Sequence, residues 1–271
     1  MSLWIIIAFT VIGWFAYYQN TIHPAEIPLY TLSNGSKQVQ FQGMSHIGSK
    51  DFYEEVKDSI KIAKQDGFIL FYEWVRPGSQ ENINEFNEAI WIEFNADLYE
   101  NFSKLYGVDH QKNPDFLGIE NDKDFNIDLD IDEIMSIYRK KIGTNQTDMP
   151  DMPDRWEKQV ADVGKDIIDQ LSDLSERELS LLRYINKSVL NFIVKNSEFR
   201  DMMLATFWNE DLFSVILEER NIYLVESITS SEYSNIFVMY GLMHFDWVLE
   251  LLQKKDPKWS IQSIEYKQLI N

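Results

Sequence analysis

The stretch GFILFYE, residues 67–73, constrains the fold more than any other part of this chain. A run of apolar and aromatic residues between a glycine and a charge leaves no polar face. That pattern suits a β-strand covered on both sides, as in a parallel sheet flanked by helices. Just before it, KDFYEEVKDSIKIAKQ places Phe52, Val56, Ile60 and Ala63 at helical spacing with charges opposite. Before that, QVQFQ reads as a strand ending at Gly43. Strand, helix, strand in this order is a βαβ unit. The C-terminal segments SNIFVMYG, LMHFDWVLELLQKK and KWSIQSIEYKQ repeat the order. Between them, NINEFNEAIWIEFNADLYENFSKLYG, RWEKQVADVGKDIIDQLS, ERELSLLRYINKSVLNFIVKN and EFRDMMLATFWNEDLFSVILEERN carry helical periodicity. The sequence therefore predicts an α/β fold: a mostly parallel central sheet flanked by helices, with a helical insertion at about 155–219 between two α/β halves.

The chain has 271 residues, 45% of them hydrophobic, which suits one large domain or two small ones. A formal net charge of −19 argues against nucleic acid as a partner, because phosphate binding needs clustered Lys and Arg. With no cysteine, thiolate nucleophiles, disulfides and Cys-based zinc sites are excluded.

From Leu3 to Tyr18 there is no charge, and Tyr17 and Tyr18 suit a membrane interface. The run is shorter than the roughly 20 residues a spanning helix usually needs. It has no basic residue ahead of it, as a cleaved signal peptide would. The expectation is an N-terminal membrane anchor over residues 1–19, with a signal segment or a buried, partner-docked helix as alternatives. Residues 20–36, with two prolines and Asn34-Gly35, read as a linker in which His23 is a plain linker histidine, and 37–271 as the α/β domain. Neither Lys nor Arg occurs before Lys37, so charge says nothing about orientation.

Two of the four histidines share one setting. In FQGMSHIGS and FVMYGLMHFDW an apolar strand ends on Gly-x-x-His before a helix. His46 and His244 are 198 residues apart in the chain, so only folding can bring them together. Ligands of open α/β sheets bind beyond the carboxyl ends of the strands, where His46, Glu73 and His244 would all emerge. Glycine would let each turn bend sharply without a Cβ clash. Two imidazoles and a carboxylate can hold a divalent metal with a position open for water. Without metal, one histidine can act as general base on water while the other serves as acid or oxyanion donor.

These pieces, with GFILFYEWVRPGS, LYGVDHQKNPDF, NIDLDIDEI and EERNIYLVESI, fall in an order that resembles the TraB/GumN/TIKI group, more distantly related to erythromycin esterases and ChaN haem-binding proteins. The resemblance covers most of the chain after residue 36. It implies an α/β fold with a site made from His46, Glu73, His244 and an arginine before the last strands, Arg220. Some members of that group are metal-dependent proteases, others bear on peptide-pheromone control, and the esterase relatives use His and Glu with no metal. The resemblance therefore implies a hydrolase acting on a peptide or protein, with a metal such as Mn, Co or Zn held by His46, Glu73 and His244, or with none. The first motif departs from the group: Met44 and Ser45 fill a gap where many members have Thr after Gly, and His110 is foreign to the pattern although Gln111 fits. Arg220 could hold Glu73 ionised or clamp a peptide C-terminus through its fork. The second expectation is a silent member of the group that binds peptides or acts as a scaffold for a partner in a membrane complex. Haem binding, as in ChaN-like relatives, is a third.

Three other features have plainer readings. DKDFNIDLDIDE almost fits a calcium loop, but Ile127 stands where the turn needs Gly, and alternating Phe125, Ile127, Leu129 and Ile131 read better as a strand with a wet acidic face. Most tryptophans, with Met202, Met203 and Met239, read as core. Trp74 and Trp247, beside Glu73 and His244, could line a substrate groove.

Overall fold

The computed structural model describes residues 3–90, 97–143, 171–199 and 209–270. It is a mixed α/β structure around a six-stranded, mostly parallel sheet. The strands are β1 (Glu26–Ser33), β2 (Gln38–Met44), β4 (Ile69–Tyr72), β6 (Asp124–Asn126), β7 (Asn235–Gly241) and β8 (Ser260–Gln268), in spatial order β6-β4-β7-β2-β1-β8. Two-residue strands β3 (Ile47–Gly48) and β5 (Asp109–His110) pair separately. The pairs β6/β4, β4/β7 and β7/β2 are parallel; β2/β1 and β1/β8 are antiparallel.

Helix α2 (Lys50–Gln65) connects β2 to β4, its first turn capped by the Ser49 hydroxyl, which accepts from the Phe52 N–H at 3.2 Å. The predicted stripe of Phe52, Val56, Ile60 and Ala63 is its buried face. β2 and β4 are not neighbours, however, because β7 lies between them. This insertion of a C-terminal strand between two N-terminal ones builds the site. The apolar run of β7 is explained by burial on both faces: Phe237 and Met239 join the core with α2, while Ile236, Val238 and Tyr240 join the opposite core. That second core is closed by α8 (Arg220–Ser230) and α9 (Phe245–Lys255), through Leu224, Val225, Ile228, Val248 and Leu252. Met239 is buried, as expected; Met202 and Met203 lie outside the described residues.

Three expectations change. Residues 20–36 are not a linker, for they contain β1, which pairs on both sides and buries Ile27, Leu29 and Leu32. The acidic stretch 122–133 forms only the short β6; Ile131 opens α5 (Ile131–Ile142) behind a capping box of Asp130 and Glu133. Its acids are committed elsewhere than to calcium: Asp124 to Lys64, Asp128 to Arg220, Asp130 and Glu133 to the cap. The stretch from 82 to 107 holds two described helices, α3 (Gln80–Ile90) and α4 (Asp97–Tyr106). Of the expected insertion, α6 (Glu176–Lys195) and α7 (Glu210–Ser214) are helical, and a π-turn at Val215–Glu219 runs into α8; residues 155–170 and 200–208 lie outside the described residues.

The membrane-anchor expectation is overturned. Helix α1 is Leu3–Tyr17, 15 residues. At 1.5 Å per residue it is well short of the roughly 30 Å of a bilayer core. No helix among the described residues is long and apolar enough to cross a membrane. Around Tyr17 the chain docks: Ala16 and Gln19 are buried, Phe15 meets Phe192 of α6, and past Tyr17, where the chain turns polar, Asn20 donates to the Tyr184 carbonyl at 2.7 Å.

Candidate functional site

The strand order sets β2, β4 and β7 side by side with their carboxyl ends pointing the same way. Met44 sits opposite Gly241, Tyr72 sits opposite Met239, and the Glu73 N–H donates to the Met239 carbonyl at 3.0 Å. The residues just past these ends are therefore neighbours, whatever their separation in the chain.

Glu73 is the centre. Its Oε1 accepts from Arg220 Nη2 and its Oε2 from the Gly241 N–H. The Asn113 amide donates to its carbonyl at 2.8 Å. Burial works to raise the Glu73 pKa, but Arg220 first, then His244, His46 and the Gly241 N–H, pull it down to about 2. Glu73 is thus a fixed anion near neutral pH. Arg220, on the first turn of α8, is buried rather than a surface helix-end cation. Its Nε and Nη2 also form a fork on Asp128, at 2.7 and 2.9 Å, and the Tyr240 hydroxyl donates to Asp128 Oδ1 at 3.1 Å. Burial pushes the Asp128 carboxyl up against the pull of Arg220. The Leu129 N–H donates to the same Oδ1 at 2.9 Å; the ionised form is the one that accepts all four hydrogen bonds, and it is the form we assign. Two carboxylates already engage the guanidinium through Nε and Nη2.

His244 ends a short 3₁₀ turn, Leu242–His244, after β7. Its Nδ1 lies 2.7 Å from Asn221 Oδ1, its ring stands edge-on to Tyr240 at 4.8 Å between centroids, and its Nε2 faces Glu73 Oε1 at 3.9 Å. Burial lowers its pKa to about 3, against the opposing charge of Glu73, so the imidazole is neutral. His46 follows β2, and the loop around it is tied down: its carbonyl accepts from the Gln111 N–H at 2.8 Å, and the Ser45 carbonyl from the Tyr53 hydroxyl at 3.0 Å. His46 is exposed, and its ring lies against that of Tyr99 of α4, 4.2 Å between centroids. That surrounding protein lowers its pKa, Glu73 opposing and Arg220 reinforcing.

The four predicted residues are thus brought together: Glu73 feels Arg220, His244 and His46, and His244 feels His46. They do not form a metal centre, which corrects the expectation that His46, Glu73 and His244 bind Mn, Co or Zn. Among the described residues no group of three or more His, Cys, Asp or Glu is placed to hold a metal. Physically, both Glu73 oxygens are engaged, one of them by a permanent cation. His110 is not in the cluster. It lines a separate cavity of about 480 Å³ with Tyr53, Lys57 and Lys104, which contains none of the four. Trp74 and Trp247 are both exposed.

Sequence reasoning missed Asp128, Tyr240, Asn221 and Tyr99. Asp128 lay hidden in an alternation read as a wet strand face, and Asn221 directly follows Arg220 in NIYLVESI with nothing to mark it. The glycine of the second motif also acts differently from expectation. Gly241 has φ −51 and ψ 137, open to any residue. A Cβ there would sit 3.2 Å from Glu73 Oε2 and 3.3 Å from His244 Cδ2. Gly241 is needed for room, not for a bend. Gly241→Ala is expected to fold, at a cost of about 1–3 kcal/mol for crowding, and to loosen the Glu73–Gly241 bond. Urea unfolding together with a Glu73 carboxyl shift in NMR checks both halves.

No protein-family model matches this chain, and comparison with characterised proteins and with solved structures finds no similar one.

Proposed function

We propose that this chain is a metal-free hydrolase of the TraB/GumN/TIKI and erythromycin-esterase type, cleaving an amide or ester bond in a peptide or protein. The observation that carries the reading is the meeting, at three adjacent strand ends, of a carboxylate held ionised and two neutral imidazoles. His46, exposed, is the general base. It takes a proton from water as the water oxygen bonds to the substrate carbonyl carbon, and gives that proton to the leaving nitrogen or oxygen as the old bond breaks. Glu73 stabilises the imidazolium formed in between, as carboxylates do in histidine-based hydrolases. Arg220 and the Gly241 N–H hold Glu73 in place. His244, pinned by Asn221 and Tyr240, presents Nε2 beside Glu73 as a second neutral group for positioning water or the carbonyl. We infer, further, that α6 and α7 belong to an insertion that supports one wall of the site, since α6 holds α4 and α4 carries Tyr99.

The test is hydrolysis by the full chain, in excess EDTA, of a proteome-derived peptide mixture read by mass spectrometry and of p-nitrophenyl esters. Wild type is expected to cut substrates from the panel and to keep its rate in EDTA. His46→Ala, at an exposed position, is expected to keep the fold and lose at least about a hundredfold in rate. Activity that EDTA abolishes would overturn the metal-free chemistry. A folded wild type that cuts nothing would leave the second reading, a peptide-binding or scaffold protein.

A further inference from the structure

We propose that Tyr99 is a positioning residue for His46, its ring clamping the imidazole face-on above the strand ends. The two rings lie 4.2 Å apart at their centroids and tilt by only 30°. Among the described residues, no side-chain hydrogen bond fixes the His46 ring, in contrast to His244 with Asn221. The backbone around His46 is tied by Gln111, Tyr53 and the Ser45 hydroxyl, which donates to the Ile47 carbonyl at 2.8 Å. Backbone ties set where the side chain starts; they leave its ring to rotate. The ring therefore takes its orientation from packing, and Tyr99 supplies that face.

Tyr99 is itself well placed to do this. It sits in the first turn of α4, whose last turn is pinned to α6: Arg183 donates to the Lys104 carbonyl and Asn186 to the Leu105 carbonyl, each at 3.2 Å. Gly107, at φ +64, then lets Arg183 lie flat against the chain where a Cβ would be 2.5 Å from its Cδ. Burial and the Glu73 charge raise the Tyr99 pKa, so the ring meets His46 as a neutral phenol and adds no charge to the site. A stacked aromatic shields one face of a base from water while its edge stays open to substrate. This is the arrangement a general base needs if it is to be both neutral and reachable.

The importance of Tyr99 rests on the hydrolytic reading, but its test does not. In chain labelled with ¹³C-histidine, the His46 resonances are identified by their loss in His46→Ala and titrated. In wild type they are expected to carry a ring-current shift and to titrate below the ordinary value of 6.5. Tyr99→Phe is expected to preserve both. Tyr99→Leu, which keeps apolar bulk and so guards against unfolding, is expected to remove the ring-current shift. Tyr99→Ala is expected to do the same and to raise the His46 pKa toward its ordinary value. If hydrolysis is detected, Tyr99→Ala lowers kcat about tenfold to a hundredfold, moves the acid limb of the pH profile upward and leaves Tyr99→Phe near wild type. His46 resonances unchanged in both Leu and Ala variants would overturn the proposal. Changed resonances in a chain that hydrolyses nothing would uphold the positioning role and sink the hydrolytic reading alone.

Discussion

Replacing Arg220 with methionine is expected to destabilise the folded chain by about 3–5 kcal/mol, the usual consequence of stranding a buried charge. Arg220, Glu73 and Asp128 are almost wholly enclosed: side-chain exposures are 5% for Arg220, 13% for Glu73 and 0% for Asp128. Methionine fills most of the volume and carries no charge, so it leaves Glu73 with the Gly241 N–H and Asp128 with the Tyr240 hydroxyl and the Leu129 N–H, and neither carboxylate with a cation. Lysine restores the charge but cannot span both acids with a planar fork, and Arg220→Lys is expected to fall between wild type and Arg220→Met. Adding Asp128→Asn and Glu73→Gln to Arg220→Met is expected to recover part of the loss, because the stranded charges are then gone. Urea unfolding of the set measures each step. A loss below about 1 kcal/mol for Arg220→Met would be the behaviour of a surface pair, and would contradict the buried network.

Acid is expected to unfold this protein through the same cluster. His244 has a folded pKa of about 3 against an ordinary 6.5, so as pH falls below 6.5 the unfolded chain takes up a proton that the folded chain refuses. Stability is lost progressively from pH 6.5 toward pH 3, to a total of about 4–5 kcal/mol. Glu73 acts in the same direction lower down. Its folded pKa is about 2 against an ordinary 4.5, so its contribution, complete above pH 4.5, drains away as pH falls toward 2. The many other acids of a chain with net charge −19 relieve mutual repulsion as they protonate, which works the opposite way. The decisive quantity is therefore a difference. The stability of wild type minus that of His244→Asn, from urea midpoints at steps between pH 7.5 and 4, should shrink as pH falls. A difference that stays level would show that His244 is not held neutral by burial.

Much of this was legible in the sequence because it rests on local rules. Helix α2 followed from four apolar residues at helical spacing, and β4 from an apolar run with no polar alternate. His46, Glu73 and His244 were marked by their positions just beyond strand-like runs. The errors have physical causes too. β1 was hidden because EIPLYTLS contains a proline and follows another, and its proof is pairing with β2 and β8, remote in sequence. The N-terminal run looked membrane-bound by hydropathy, yet the chain turns polar past Tyr17 and binds α6 through Phe15 and Asn20.

The metal expectation failed for a different reason. Residue types determine which groups are available to ligate; only distances determine which are already spent. Local pattern marked two imidazoles and a carboxylate of this site, because strand termini are properties of neighbouring residues; Arg220 was marked by the resemblance alone. The tertiary structure alone decided that β7 would enter between β2 and β4, that Asp128 and Asn221 would be drawn in, and that Arg220 would sit on Glu73. Such choices depend on contacts between segments far apart in the chain, and no local pattern records them.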